Sequence, residues 1–168
     1  MARAFVAVGS NLRPEENVRA ALARLAKLAR VWRLSTFYRT PPWNRPEQGD
    51  FINGVVELET DLPSGELRAR LREVEAALGR VRTADKYAAR TLDLDLIAYE
   101  GAGDPALPDP EIAARPFLAV PLAELAPDLS LPGSNRSLGA VAAGLDASAL
   151  RPLPGFTARL RKELLHEP

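Results

Sequence analysis

The chain has 168 residues, of which 46% are hydrophobic and 26% are charged, values that are typical of a globular protein. Its formal net charge is zero, so no overall field draws it to nucleic acid or to an anionic membrane. Cysteine is absent and His166 is the only histidine, which excludes disulfides, thiolate or histidine metal clusters and a Ser-His-Asp triad.

The sequence predicts neither a membrane span nor a signal peptide. No apolar run reaches the ~20 residues of a membrane span, and the amino terminus lacks the features of a signal peptide. We therefore expect a cytoplasmic protein with no membrane or nucleic-acid partner. The length fits one domain over 1–168, and we expect a monomer.

Six elements are predicted in the first hundred residues from hydrophobic periodicity and from the placement of proline and glycine. In chain order they are a strand ending at Gly9, a helix beginning at Pro14, strands over 31–40 and 51–60, a helix from Pro63 to Gly79, and a strand over 91–100. This order predicts a ferredoxin-like βαββαβ core of the α+β class, with two helices on one face of an antiparallel sheet and the other face free for a site. Short helical patterns follow over 121–126 and 138–143.

The stretch "RTLDLDLIAYE" places two aspartates on one face of the last strand. Asp93 and Asp95 are two residues apart and share a face, whereas the leucines between and beside them point to the other. Two carboxylates suit a hard cation such as Mg²⁺, which takes oxygen ligands and is completed by substrate phosphates. The alternative is an exposed strand face that tolerates charge.

Arginines flank the loop that leads into this strand. If that loop folds over the aspartates, Arg80, Arg82 and Arg90 would surround a polyphosphate–metal complex, an arrangement that suits phosphoryl transfer. The alternative is that these arginines form salt bridges with the two aspartates. No P-loop motif and no dinucleotide-binding glycine motif is present.

A third group of residues could hold a planar polar ring by stacking and edge hydrogen bonds. The alternative for the aromatic members is that they are core residues. The polar candidates are Thr40, Asn44 and Asn53, and the aromatic candidates are Trp43, Phe51 and Phe117.

Taken together, "FYRTPP", "DFINGVVELET", "GRVR" and "RTLDLDLI" resemble the 6-hydroxymethyl-7,8-dihydropterin pyrophosphokinase family of folate biosynthesis. The resemblance runs from "VAVGSNL" to "PFLAVPLAELAPDL" and leaves 146–168 outside as a C-terminal tail. It implies the ferredoxin-like fold and transfer of the pyrophosphoryl group of ATP to the pterin hydroxymethyl group, with release of AMP. A nucleotidyltransferase-type metal enzyme and a nucleic-acid-binding module on the same fold are the alternatives.

The resemblance also implies roles for individual residues. Asp93 and Asp95 would bind two Mg²⁺ ions, and Arg80, Arg90 and Asp95 would be catalytic. The implied ATP contacts are Arg80, Arg82, Arg90, Arg115 and Leu96. The implied pterin contacts are Thr40, Pro41, Pro42, Trp43, Phe51, Asn53 and Phe117. One departure is Asp109, which stands where the family usually has a histidine that contacts ATP phosphate.

Overall fold

The computed structural model describes residues 1–42, 47–81, 92–101 and 103–165. Within these residues the α+β class is confirmed, with helices packed on an antiparallel sheet. The strands are β1 (Ala2–Ser10), β2 (Arg30–Leu34), β3 (Tyr38–Thr40), β4 (Phe51–Thr60), β5 (Asp93–Glu100) and β6 (Arg151–Pro152). The helices are α1 (Pro14–Leu28), α2 (Ser64–Ala77), α3 (Pro116–Leu125), α4 (Leu138–Ala143) and α5 (Pro154–Leu164), with a 3₁₀ turn at Pro110–Ala114.

Local sequence signals fix the limits of the first two helices. Pro14 occupies the first turn of α1, where its missing N–H is not needed, and the next two residues are acidic and face the positive end of the helix dipole. Helix α2 is followed by Gly79 at φ 89°, a left-handed conformation that favours glycine. Both predicted limits are confirmed. Among the described residues, no helix is long and apolar enough to cross a membrane.

The sheet has the strand order β5-β1-β4-β3-β6, and β2 pairs with the other half of β4. The predicted single strand over 31–40 is wrong, because the structure breaks it into β2 and β3. Between them the Phe37 side chain is fully buried and lies over Gly54, where an added Cβ would be 2.6 Å from the ring. The chain leaves the ladder at this point so that the aromatic ring enters the core.

Two cores cover the two faces of the sheet. Helices α1, α2 and α5 pack on one face against residues such as Val6, Val56 and Leu94. The 3₁₀ turn, α3 and α4 pack on the other face against Phe5 and Val55, among others. The expectation of an entirely free second face is therefore wrong. The part of that face nearest Gly9 lies outside the second core.

The C-terminal tail is built into the fold. Strand β6 pairs with β3, and Phe156 and Leu160 of α5 are buried in the first core. An exposed ion pair between Arg19 and Glu163, at 2.8 Å, joins α5 to α1. The family resemblance gave no structure for this segment.

Candidate active site

A row of side chains crosses the uncovered part of the second face. Gly9 of β1 is paired with Asn53 of β4 on one side and with Asp93 of β5 on the other, and Asn53 is paired with Tyr38 of β3. Neighbouring strands lie about 4.8 Å apart, so the row places an acidic group and an amide roughly 10 Å apart with a glycine between them. The register thus brings Asp93, a predicted metal ligand, and Asn53, a predicted pterin contact, to one face.

The amide of Asn53 has a fixed orientation. Its Nδ2 donates to Oγ1 of Thr40 at 2.8 Å, and Thr40 is buried. A Cβ added at Gly9 would be 2.5 Å from Oδ1 of Asn53, so glycine leaves room for the amide to lie across β1. A partly buried, oriented amide–hydroxyl pair suits recognition of the edge of a polar ring.

The two aspartates begin β5 at the edge of the sheet. The Asp95 side chain is exposed, and the Asp93 side chain is 23% exposed. Among the described residues, no group of three His, Cys, Asp or Glu side chains could hold a metal ion by itself. Two carboxylates fit Mg²⁺, which commonly binds through one or two protein carboxylates together with substrate phosphates and water.

Arg80 connects Asp93 to the body of the protein. Its Nη1 donates to Oδ1 of Asp93 at 2.6 Å, to Oε2 of Glu75 at 2.9 Å and to the Leu92 carbonyl at 3.1 Å. Oε2 of Glu75 also accepts from the backbone N–H of Leu94 at 2.9 Å. The Arg80 side chain is only 10% exposed, so in this structure it forms the salt bridge that the sequence left as an alternative.

The charges around Arg80 keep it protonated. Burial by itself lowers the pKa of this guanidinium, but the hydrogen bond to Asp93 and the negative charges of Asp93, Glu75 and Asp95 outweigh burial and raise the pKa above its ordinary value. The guanidinium is therefore a fixed positive charge beside the carboxylates.

The aromatic candidates lie on two different elements. Phe51 is partly buried on β4 and is paired with Thr40 of β3. Phe117 is partly buried in the first turn of α3, where the guanidinium of Arg115 lies 5.8 Å from its ring centroid. Arg115 also forms an ion pair with Glu111 at 3.1 Å. The predicted anion contact Arg115 is thus exposed and adjacent to a predicted pterin contact.

Residues 5–127 match the family model described as 7,8-dihydro-6-hydroxymethylpterin-pyrophosphokinase (HPPK). The chain belongs to this pyrophosphokinase family. It is 40% identical over 164 residues to a 2-amino-4-hydroxy-6-hydroxymethyldihydropteridine pyrophosphokinase of Synechocystis, covering 91% of this chain and 82% of the relative. Proteins with the same name are 42% identical in Methylorubrum extorquens, over 80% of this chain and 89% of the relative, and 37% identical in Pseudomonas aeruginosa, over 91% and 98%.

Some residues that the family resemblance implied lie away from the row, and others lie outside the described residues. The Leu96 side chain is buried in the core on the opposite face, so only its backbone is near the aspartates. Pro41 is exposed and Pro42 is partly buried just after β3. Trp43, Asn44, Arg82 and Arg90 lie outside the described residues.

Asp109, at the family's usual histidine position, has a structural role here. Its Oδ1 accepts from the backbone N–H of Glu111 at 2.9 Å and so caps the 3₁₀ turn. Its own backbone N–H donates to the Ile97 carbonyl of β5 at 2.9 Å. The aspartate therefore ties the turn that precedes α3 to the strand that carries the metal candidates.

Two polar residues near the site were not predicted from the sequence. Glu75 is 2% exposed. Its burial could have been predicted, because this carboxylate lies beside Val74 and four residues after Leu71, on the apolar stripe of α2. Tyr38 donates to Oε1 of Glu124 of α3 at 3.3 Å, and burial, followed by the Glu124 charge, raises the pKa of this phenol. No local pattern predicted the second contact, because it joins residues 86 positions apart.

Proposed function

We propose that this chain transfers the pyrophosphoryl group of ATP to the hydroxymethyl group of 6-hydroxymethyl-7,8-dihydropterin, giving the pterin diphosphate and AMP in folate biosynthesis. The observation that carries the proposal is the row Asp93–Gly9–Asn53, because it brings a candidate cation ligand and a candidate ring contact to one face. Membership in the pyrophosphokinase family supports the same reaction.

Two bonds at the β-phosphorus change. The pterin hydroxyl oxygen attacks the β-phosphorus of ATP, and the bond from that phosphorus to the oxygen shared with the α-phosphate breaks. AMP leaves with the shared oxygen, and the hydroxyl proton is released to solvent. Both substrates must therefore lie on one surface with the hydroxyl aimed at the β-phosphorus.

The pterin side of the site is built on β3 and β4. We infer that the Thr40–Asn53 pair bonds the polar edge of the pterin, while Phe51 and Phe117 supply flat faces for stacking. Asn53 has little freedom because its Nδ2 is already bonded to Thr40. This preorganisation lowers the entropy lost on binding.

The phosphate side of the site is built on β5 and the end of α2. Asp93 and Asp95 would hold two Mg²⁺ ions, which supply positive charge that offsets the charge of the triphosphate. Arg80 holds Asp93 at 2.6 Å and contributes a fixed positive charge at the same place. Arg90, Arg82 and Arg115 are proposed as further phosphate contacts.

One phosphorus NMR experiment tests the reaction. The protein is mixed with ATP, Mg²⁺ and the reduced pterin, and the expected products are AMP and a diphosphate ester with two coupled phosphorus signals. A single pyrophosphate signal would instead identify nucleotidyl transfer and overturn the proposal. A reaction without pterin is the control, and it should form no AMP.

We also propose that the enzyme works as a monomer in the cytoplasm.

A further inference from the structure

The strand that carries Thr40 is short and depends on the C-terminal tail for its outer pairing. Strand β3 has three residues, and a strand of this length at the edge of a sheet holds its register weakly. Strand β6 pairs with it, with Tyr38 opposite Pro152 and Arg39 opposite Arg151. The tail therefore converts an edge strand into an internal one.

The tail also satisfies both backbone groups of Phe37, the residue just before β3. The Phe37 N–H donates to Oγ1 of Thr157 at 2.9 Å, and the Phe37 carbonyl accepts from the Leu153 N–H at 2.9 Å. Phe37 and Thr157 are both buried, so neither bond can be replaced by water without opening the core.

Two side-chain contacts connect the tail to the neighbourhood of β4. The rings of Phe37 and Phe156 meet edge to face with centroids 6.1 Å apart, and Phe37 lies directly over Gly54, the neighbour of Asn53. Arg151 forms an ion pair at 3.3 Å with Asp50, the neighbour of Phe51. The tail thus contacts the sequence neighbours of the ring-binding candidates, rather than the candidates themselves.

We propose that the segment from Arg151 to Leu160 positions the pterin-binding strands, with Thr157 as the main positioning residue. The inference rests on the proposed function. Successive residues of a strand point to opposite faces. Contacts that fix the Phe37 side chain on the face covered by α5 therefore orient the β3 residues on the other face, which would face the pterin. The aspartates lie on β5, three strands beyond β3 in the sheet, so nucleotide binding does not depend on this contact.

The test compares Thr157→Val with Thr157→Ser. Valine keeps the shape but leaves the Phe37 N–H without an acceptor, whereas serine keeps the hydroxyl. Pterin binding is measured by calorimetry with Mg²⁺ and an ATP analogue that has a methylene between the α- and β-phosphorus, which blocks transfer. We expect Thr157→Val to weaken pterin binding about five- to tenfold, with analogue binding unchanged and Thr157→Ser close to wild type.

Controls separate this role from general stability. Glu163→Gln breaks the exposed pair with Arg19 on the same helix and should leave both affinities unchanged. If Thr157→Val does not fold, Phe156→Leu replaces it and should shift pterin binding in the same direction. Equal weakening of pterin and analogue, or unchanged pterin binding in the folded variants, would overturn the inference alone. Wild-type protein that binds no pterin would overturn the proposed function together with it.

Discussion

The guanidinium of Arg80 bonds the carboxylate of Asp93, with Nη1 2.6 Å from Oδ1. The same nitrogen lies 2.9 Å from Oε2 of Glu75, a carboxylate of α2 that is 2% exposed. A candidate metal ligand is therefore oriented by a charge whose other partner lies in the protein interior. This arrangement makes the fold and the site depend on the same arginine.

Arg80→Met should destabilise the protein, because it leaves the Glu75 charge buried without this cation. Removing one partner of a buried ion pair commonly costs about 3–5 kcal/mol, and we expect a loss in the lower part of that range because Asp93 is partly exposed. Turnover should also fall, since Asp93 loses its orienting contact. Urea unfolding and a steady-state assay of AMP formation measure the two effects.

The double variant Arg80→Met with Glu75→Gln distinguishes the two effects. Glutamine keeps an acceptor for the Leu94 N–H but removes the buried charge, so at least half of the lost stability should return. Turnover should stay low. A double variant that regains full turnover would contradict a direct role for Arg80 at the site.

Asp95→Asn should lower turnover by about two to three powers of ten, the usual effect of losing one group that stabilises charge at a reacting centre, because Asp95 would act there through the Mg²⁺ that it holds. Thermal stability should change little, because the side chain is exposed. Glu100→Gln, an exposed carboxylate at the far end of the same strand, is the matched control and should keep wild-type turnover. Near-normal turnover of Asp95→Asn at saturating Mg²⁺ would contradict the metal role.

The sequence predicted those parts of the fold that depend on local physics. Alternation placed Leu94 and Leu96 in the core and Asp93 and Asp95 on the opposite face, because the period of a strand leaves no other choice. Pro14 and Gly79 marked helix limits through their backbone preferences. The same alternation failed over 31–40, where burial of the Phe37 ring over Gly54 outweighed continuous pairing.

Long-range contacts could not be predicted in this way. The spacing of Phe156, Leu160 and Leu164 after Pro154 is typical of an amphipathic helix, but nothing in it shows that the helix docks behind β3. The bond from Phe37 to Thr157 joins residues 120 positions apart. The position of the Asn53 amide across Gly9 likewise became visible only once the register of β1 and β4 was known.

Gly9→Ala should impair the pterin side of the site more than the fold. The added Cβ would come 2.5 Å from Oδ1 of Asn53, so the amide must shift, and a shift of the amide disturbs its bond to Thr40. We expect KM for the pterin to rise about tenfold, with KM for ATP within about twofold of wild type. Steady-state kinetics with each substrate varied in turn measure both.

Gly65→Ala is the control for this substitution. Gly65 lies in the first turn of α2 with nothing within 4 Å of an added Cβ, so alanine should be neutral or slightly stabilising there and leave both KM values unchanged. Equal KM values for pterin in Gly9→Ala and wild type would mean that Asn53 does not contact the pterin.

Asp104→Asn should lower stability at neutral pH, and the difference from wild type should shrink in acid. The backbone N–H of Ala106, the Ser64 hydroxyl and the charge of Arg68, whose Nη1 is 2.7 Å away, hold the pKa of the Asp104 carboxyl below its ordinary value. A carboxyl with a lowered pKa in the folded state stabilises the fold above its unfolded pKa of about 4, and this contribution is lost as the pH falls through the lower folded pKa. Thermal unfolding of both proteins measures the difference. The pH runs from 7, roughly three units above the unfolded pKa, to 2.5, roughly 1.5 units below it. Asp128→Asn, at an exposed turn, is the control and should follow wild type throughout. A difference that widens as the pH falls would contradict the assigned contacts of Asp104.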